Sequence, residues 1–142
     1  MKTYILCFAG LLLIGCAGTP KPGGRDLVSV SFVNPGPASY AHLRLALDGS
    51  PTAARLPELG PYREEWQEFS QALSERPRLN LSWVSEGQTV MAPVQYLAPP
   101  ARRAGDGRYH MRVHLQGVSF VAELEPHTLA RNRWILQGNG EE

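Results

Sequence analysis

The chain has 142 residues, with 14 Lys and Arg against 13 Asp and Glu for a formal net charge of +1, and two cysteines. So even a balance argues against nucleic acid as a partner, because neutralising phosphates needs a basic excess. The length suits one domain with its own core rather than several.

The chain opens with one positive charge at Lys2, an apolar stretch from Tyr4 to Ile14, and a small residue, Gly15, before Cys16. This is the layout of a secretory signal. The stretch falls short of the roughly 20 residues that cross hydrocarbon as a helix. Leu13-Ile14-Gly15-Cys16 resembles the lipobox of bacterial lipoproteins. The resemblance implies removal of residues 1–15, a diacylglycerol on the Cys16 sulfur, and acylation, with palmitate for example, of the new amino group. Cys7 lies inside the apolar run with no small residue before it and is rejected as the lipidated position. Two or more acyl chains hold a protein stably on a bilayer, whereas one anchors only marginally. Ala17 follows the cysteine where an aspartate would retain the chain at the inner membrane. The resemblance therefore implies a lipid-anchored position at the cell outer membrane, on its periplasmic face.

Residues 16–25 continue as AGTPKPGGR after the cysteine, too poor in apolar side chains to pack, and read as a lipidated tether. At roughly 3.3 Å per residue it reaches up to about 30 Å. With Cys7 removed and Cys16 alkylated, the mature domain holds no free thiol, so thiol nucleophiles and thiolate metal sites are excluded.

Residues 26–138 then show period-two alternation. LVSVSFV sets Val28, Val30 and Phe32 against Ser29 and Ser31, and HLRLALD sets Leu43, Leu45 and Leu47 against His42, Arg44 and Asp48. RLNLSWV repeats the scheme with Leu79, Leu81 and Trp83. TVMAPVQYL is a fourth run, placed at a sheet edge or bulged because Pro93 cannot donate to a ladder. RYHMRVHLQ sets Tyr109, Met111, Val113 and Leu115 against His110, Arg112, His114 and Gln116, and VSFVAELE follows Gly117. Turn chemistry at NPGPAS, DGSP, SEGQ and PPARRAGDG separates these runs. Half-buried strands of this kind predict a mainly β domain, a small antiparallel β-sandwich of immunoglobulin- or transthyretin-like type.

One stretch breaks the pattern. In PYREEWQEFSQALSERP, Tyr62, Trp66, Phe69 and Leu73 recur at helical spacing between Pro61 and Pro77, which predicts a short helix near 61–75, with a strand as the competitor. Trp66 and Phe69 are expected in the core under either reading. Residues 139–142 are expected to fray.

No nucleophile elbow, glycine-rich phosphate loop or H-E-x-x-H pattern occurs, so the chain is expected to be non-enzymatic and to need no cofactor. His110 and His114 are the best metal candidates, with His42 and His127 as additions. Residues four apart on a strand lie about 13 Å apart, so the pair cannot chelate one ion, and no metal is expected. Glu64, Glu65 and Glu68 read as the wet side of an amphipathic segment rather than an acid–base pair, which needs two carboxyls about 5 to 9.5 Å apart across a cleft. His42, Arg44, His110, Arg112 and His114 form one anion-binding face if their two strands are neighbours, with arginine forks suited to phosphates and carboxylates. Arg102 and Arg103, in an exposed proline-stiffened loop, are the further binding candidates. The acidic segment 58–75 and the basic segment 102–112 either pair with each other or present patches of opposite sign to partners.

The expected function is that of a membrane-tethered module that binds a protein partner, either as an accessory subunit of an envelope or secretion assembly or as an inhibitor or immunity protein. The alternative is an envelope ligand-binding module for anionic lipid or peptidoglycan. A lipobox, a short tether and a small sandwich, with VNPGPAS ahead of a strand, are similar in part to the outer-membrane lipoprotein of type VI secretion membrane complexes. The rest of the chain departs from that family's later pattern, so no functional residue is carried over. Immunity lipoproteins share the same broad plan.

Overall fold

The computed structural model describes residues 25–139 apart from Gly49 and Pro51. The expected signal, the expected lipidation position Cys16 and the expected tether as far as Gly24 lie outside the described residues, as do the last three positions.

In chain order the described residues form β1 (Arg25–Asn34), β2 (Tyr40–Leu47), β3 (Ala53–Leu59), β4 (Arg63–Leu73), β5 (Arg78–Ser85), β6 (Gln88–Met91), β7 (Gln95–Tyr96), β8 (Arg108–Gln116), β9 (Ser119–Pro126) and helix α1 (His127–Trp134). A turn of wider pitch, Ile135–Asn139, extends α1 and includes Gly138 at φ 83°. The strands pack as a sandwich. Sheet A has the order β4-β1-β8-β9, and sheet B the order β3-β2-β5-β6, with β7 pairing the other end of β5.

Alternation builds the core as expected along most strands. Leu43, Leu45 and Leu47 from β2, Leu79, Leu81 and Trp83 from β5, and Tyr109, Met111, Val113 and Leu115 from β8 are all buried in one cluster. β1 departs by one residue. Its register slips between Leu27 and Ser29 against both neighbours, so Leu27 joins Val30 and Phe32 in the core in place of Val28. A bulge of this kind shifts the inward set from one parity to the other.

Three further expectations are corrected. β1 and β8 run parallel, so the sandwich is not wholly antiparallel. Sheet B and β4 lie between these two strands in the chain and form their connection; a hairpin cannot join them. Residues 61–75 hold no helix: β4 pairs with β1 from Arg25↔Leu73 to Asn34↔Arg63. Phe69 points into the core, but Trp66 points out of it and is half-buried under α1. Pairing with β1 and cover on both faces override the helical spacing of the aromatics, which the strand divides between its two sides. The fourth run splits into β6 and β7 around Pro93, on the edge of sheet B, in keeping with a proline that cannot donate.

Helix α1 crosses the outer face of sheet A. It has no side-chain N-cap and buries Ala130 alone, so propensity contributes little to it and fixed contacts hold it in place. Arg133 donates to both carboxylate oxygens of Glu125 on β9 at 2.8 and 2.5 Å. The Trp134 ring lies 5.5 Å from Trp66 on β4. Among the described residues no helix is long and apolar enough to cross a membrane.

Candidate functional site

Period two on β1 puts Ser29 and Ser31 on the outer face of sheet A, and the register brings His110 of β8 beside Ser29. Left bare, this row would be a wetted surface; covered by α1 and Trp66, it is dry. Ser29, Ser31 and His110 have no exposed surface. His110 lies against Trp66 at 4.0 Å between centroids and 14° between planes.

Burying these polar groups requires that each be bonded. Ser29 Oγ lies 2.7 Å from His110 Nδ1 and 3.0 Å from His127 Nδ1, and Ser31 Oγ lies 2.8 Å from His110 Nε2. The four side chains form one chain of hydrogen bonds from Ser31 to His127. Burial, followed by the charges of Arg133, His127 and Arg112, lowers the His110 pKa from 6.5 to about 3. The ring is therefore neutral, with one nitrogen donating and the other accepting. Both directions are complete. Ser31 donates to Nε2, Nδ1–H to Ser29 and Ser29 to His127, or every bond is reversed.

The outer end of this chain opens into a cleft of about 420 Å³ lined by Trp66, Glu68, Arg108, His127, Arg131 and Trp134, with Ile135 and Asn139 at its far side. Trp66 Nε1 donates to Glu68 Oε1 at 3.0 Å, which steadies both side chains at the rim. The His127 pKa is lowered by partial burial first and by Arg108 next. The cleft joins two aromatic rings to groups of both charges in a volume that suits one ring-sized or side-chain-sized guest.

The residues singled out in the sequence separate. His110 is wholly buried and presents no surface to a ligand. Arg112 is half-buried and engaged through Nε and Nη2 with Glu64 at 3.0 and 3.1 Å, so the basic and acidic segments pair within the fold at this point. His114 Nε2 lies 3.9 Å from Glu123 Oε2. His42 and Arg44 are exposed on sheet B, so the single face expected of these five residues does not form: β2 and β8 belong to different sheets. Arg102 and Arg103 are exposed in the β7–β8 loop, where Arg103 and Arg25 line one recess beside the first residues of β1 and β8. Among the described residues no three His, Cys, Asp or Glu side chains converge to hold a metal ion.

Sequence reasoning missed Ser29 and Ser31, whose alternation reads as a wet face, and it missed α1, whose Trp134 completes the cleft. Arg108 was visible only as part of a basic segment.

No family model matches the chain, and no curated protein matches it. Among solved structures it is similar to the NMR structure of a protein from Eubacterium rectale, at 8% identity and a TM-score of 0.42, over 76% of this chain and 96% of the other.

Proposed function

We propose that this chain is a non-enzymatic envelope lipoprotein, anchored through Cys16 to the periplasmic face of the outer membrane, whose sandwich binds a protein partner through the Trp66–Trp134 cleft. The observation that carries the reading is the cleft's make-up. Tryptophan and arginine dominate the few residues that anchor protein–protein interfaces, and such anchors sit in pockets that exclude water. Here two tryptophans stand with Arg108 around a recess whose floor is held by a fully bonded network, so the recess is preorganised. Burial of Ser29, Ser31 and His110 favours binding over chemistry, because a nucleophile or base must reach its substrate.

The test is photocrosslinking in intact cells from a probe at position 134, with a probe at Thr89 on sheet B as control, followed by mass spectrometry. A single envelope protein captured at 134, absent at 89 and lost in Arg108→Ala, supports the reading. Identical adducts from both positions would overturn it.

A second reading, an envelope module for an anionic ligand, is supported by the charge of sheet B. Its strands carry Arg44, Arg55 and Arg78 against one carboxylate, Glu58.

A further inference from the structure

Arg44 on β2 and Arg55 on β3 are cross-strand partners in register, both exposed on the outer face of sheet B. Like charges directly opposite each other on a sheet destabilise it. Three other arginines meet carboxylates: Arg78 pairs with Asp48 at 3.2 Å, Arg112 with Glu64 and Arg133 with Glu125. Arg44 and Arg55 have no ion pair among the described residues. The strands of sheet B carry one carboxylate, Glu58 on β3, which stands in register with Ala41 and forms no ion pair with either arginine.

A recess of about 430 Å³ is lined by both arginines together with His42, Leu43, Leu56 and Pro57. β2 slips register between Ala41 and Arg44, with His42 at the left-handed φ of 50°. Residues other than glycine adopt that conformation at a cost, and they keep it where the surroundings fix it. The recess therefore pairs two unneutralised forks with an apolar wall.

We infer that this recess binds a phosphate monoester carrying an apolar group, such as a phosphorylated lipid headgroup with the start of its chain. Two forks from neighbouring strands match a tetrahedral dianion with oxygens on several sides, whereas a carboxylate offers two oxygens and is satisfied by one fork. Leu56 and Pro57 take the apolar substituent. The inference deepens the anionic-ligand reading and rests on it; it is independent of the tryptophan cleft.

The test is an NMR titration of the full chain with hexyl phosphate, inorganic phosphate, hexanoate and hexanol, repeated on Arg44→Gln and Arg55→Gln, with Tm measured for each protein. Hexyl phosphate should shift Arg44, Arg55 and Leu56 and bind at least about tenfold tighter than inorganic phosphate or hexanoate. Each substitution should weaken it by about tenfold or more, in line with the loss of a charge-assisted pair. Without ligand, each substitution should raise Tm by roughly 1–4 °C through relief of the repulsion. Hexanoate binding as tightly as hexyl phosphate at these arginines overturns the phosphate assignment and leaves the anionic-ligand reading standing. Binding of neither anion, or binding unchanged in both variants, overturns the two together. A fall in Tm on both substitutions overturns the claim that the pair is held against repulsion.

Discussion

Acidification should destabilise this domain through His110. Its folded pKa of about 3 lies below the unfolded value of 6.5. Between those limits the unfolded chain binds a proton that the folded chain refuses, so stability is full above pH 6.5 and is lost as the pH falls toward 3. Each pH unit in that window costs about 1.4 kcal/mol, so acidification to about pH 4.5 removes about 3 kcal/mol. For a domain whose total stability is roughly 5–15 kcal/mol, that is a large share. His127 contributes in the same direction, because its pKa is also lowered.

The assay is urea unfolding at several pH values between neutral and about 4.5, followed by far-UV circular dichroism, and compared with His110→Gln. Glutamine keeps a donor and an acceptor for Ser29 and Ser31 but does not titrate in this range. The variant should lose about 1–3 kcal/mol at neutral pH through imperfect hydrogen bonding and the lost stack on Trp66, yet show a much flatter pH dependence. His127→Gln should remove only the smaller remainder. A wild-type stability that stays level down to about pH 4.5, or a slope that survives in His110→Gln, would refute the account of His110 as a neutral ring sealed under Trp66.

Three other outcomes are expected. Leu27→Ala should cost about 2–4 kcal/mol and Val28→Ala under about 1 kcal/mol in chemical unfolding, because the register slip in β1 sends Leu27 into the core; the reverse order would contradict the slip. Arg133→Ala should loosen α1 from β9, seen as faster hydrogen exchange over residues 127–134 with exchange in β5 unchanged, at a cost of about 1 kcal/mol for a partly exposed pair. Cys16→Ser should leave the domain folded but no longer membrane-attached, read by fractionation and by loss of palmitate labelling; a variant that remains on the membrane contradicts the anchor.

Alternation made most of the core legible, because a period of two names the buried set without reference to any partner strand: every inward residue expected of β5 and β8 is buried. The method failed where a second layer covers the outer face. Trp66 and Phe69 sit three apart, and one periodic rule must put them on the same side of a helix or on opposite sides of a strand. The spacing of the aromatics between Pro61 and Pro77 favours the helix, and a tryptophan on the outer face of a strand needs a cover to be there. That cover is α1, a segment with no N-cap and no apolar stripe, whose position is set by Glu125, Ser29 and Trp66 rather than by its own sequence. The candidate site was hidden for the same cause. His110 reads as one polar residue among four on an outer face, and only a covering helix turns that position into a buried, neutral ring. By contrast Arg44 was visible from the start as an outward charge, because sheet B has no such cover among the described residues. What the sequence could not supply there was its neighbour: Arg55 comes from a strand that alternation does not announce, and the meeting of two like charges follows from register alone.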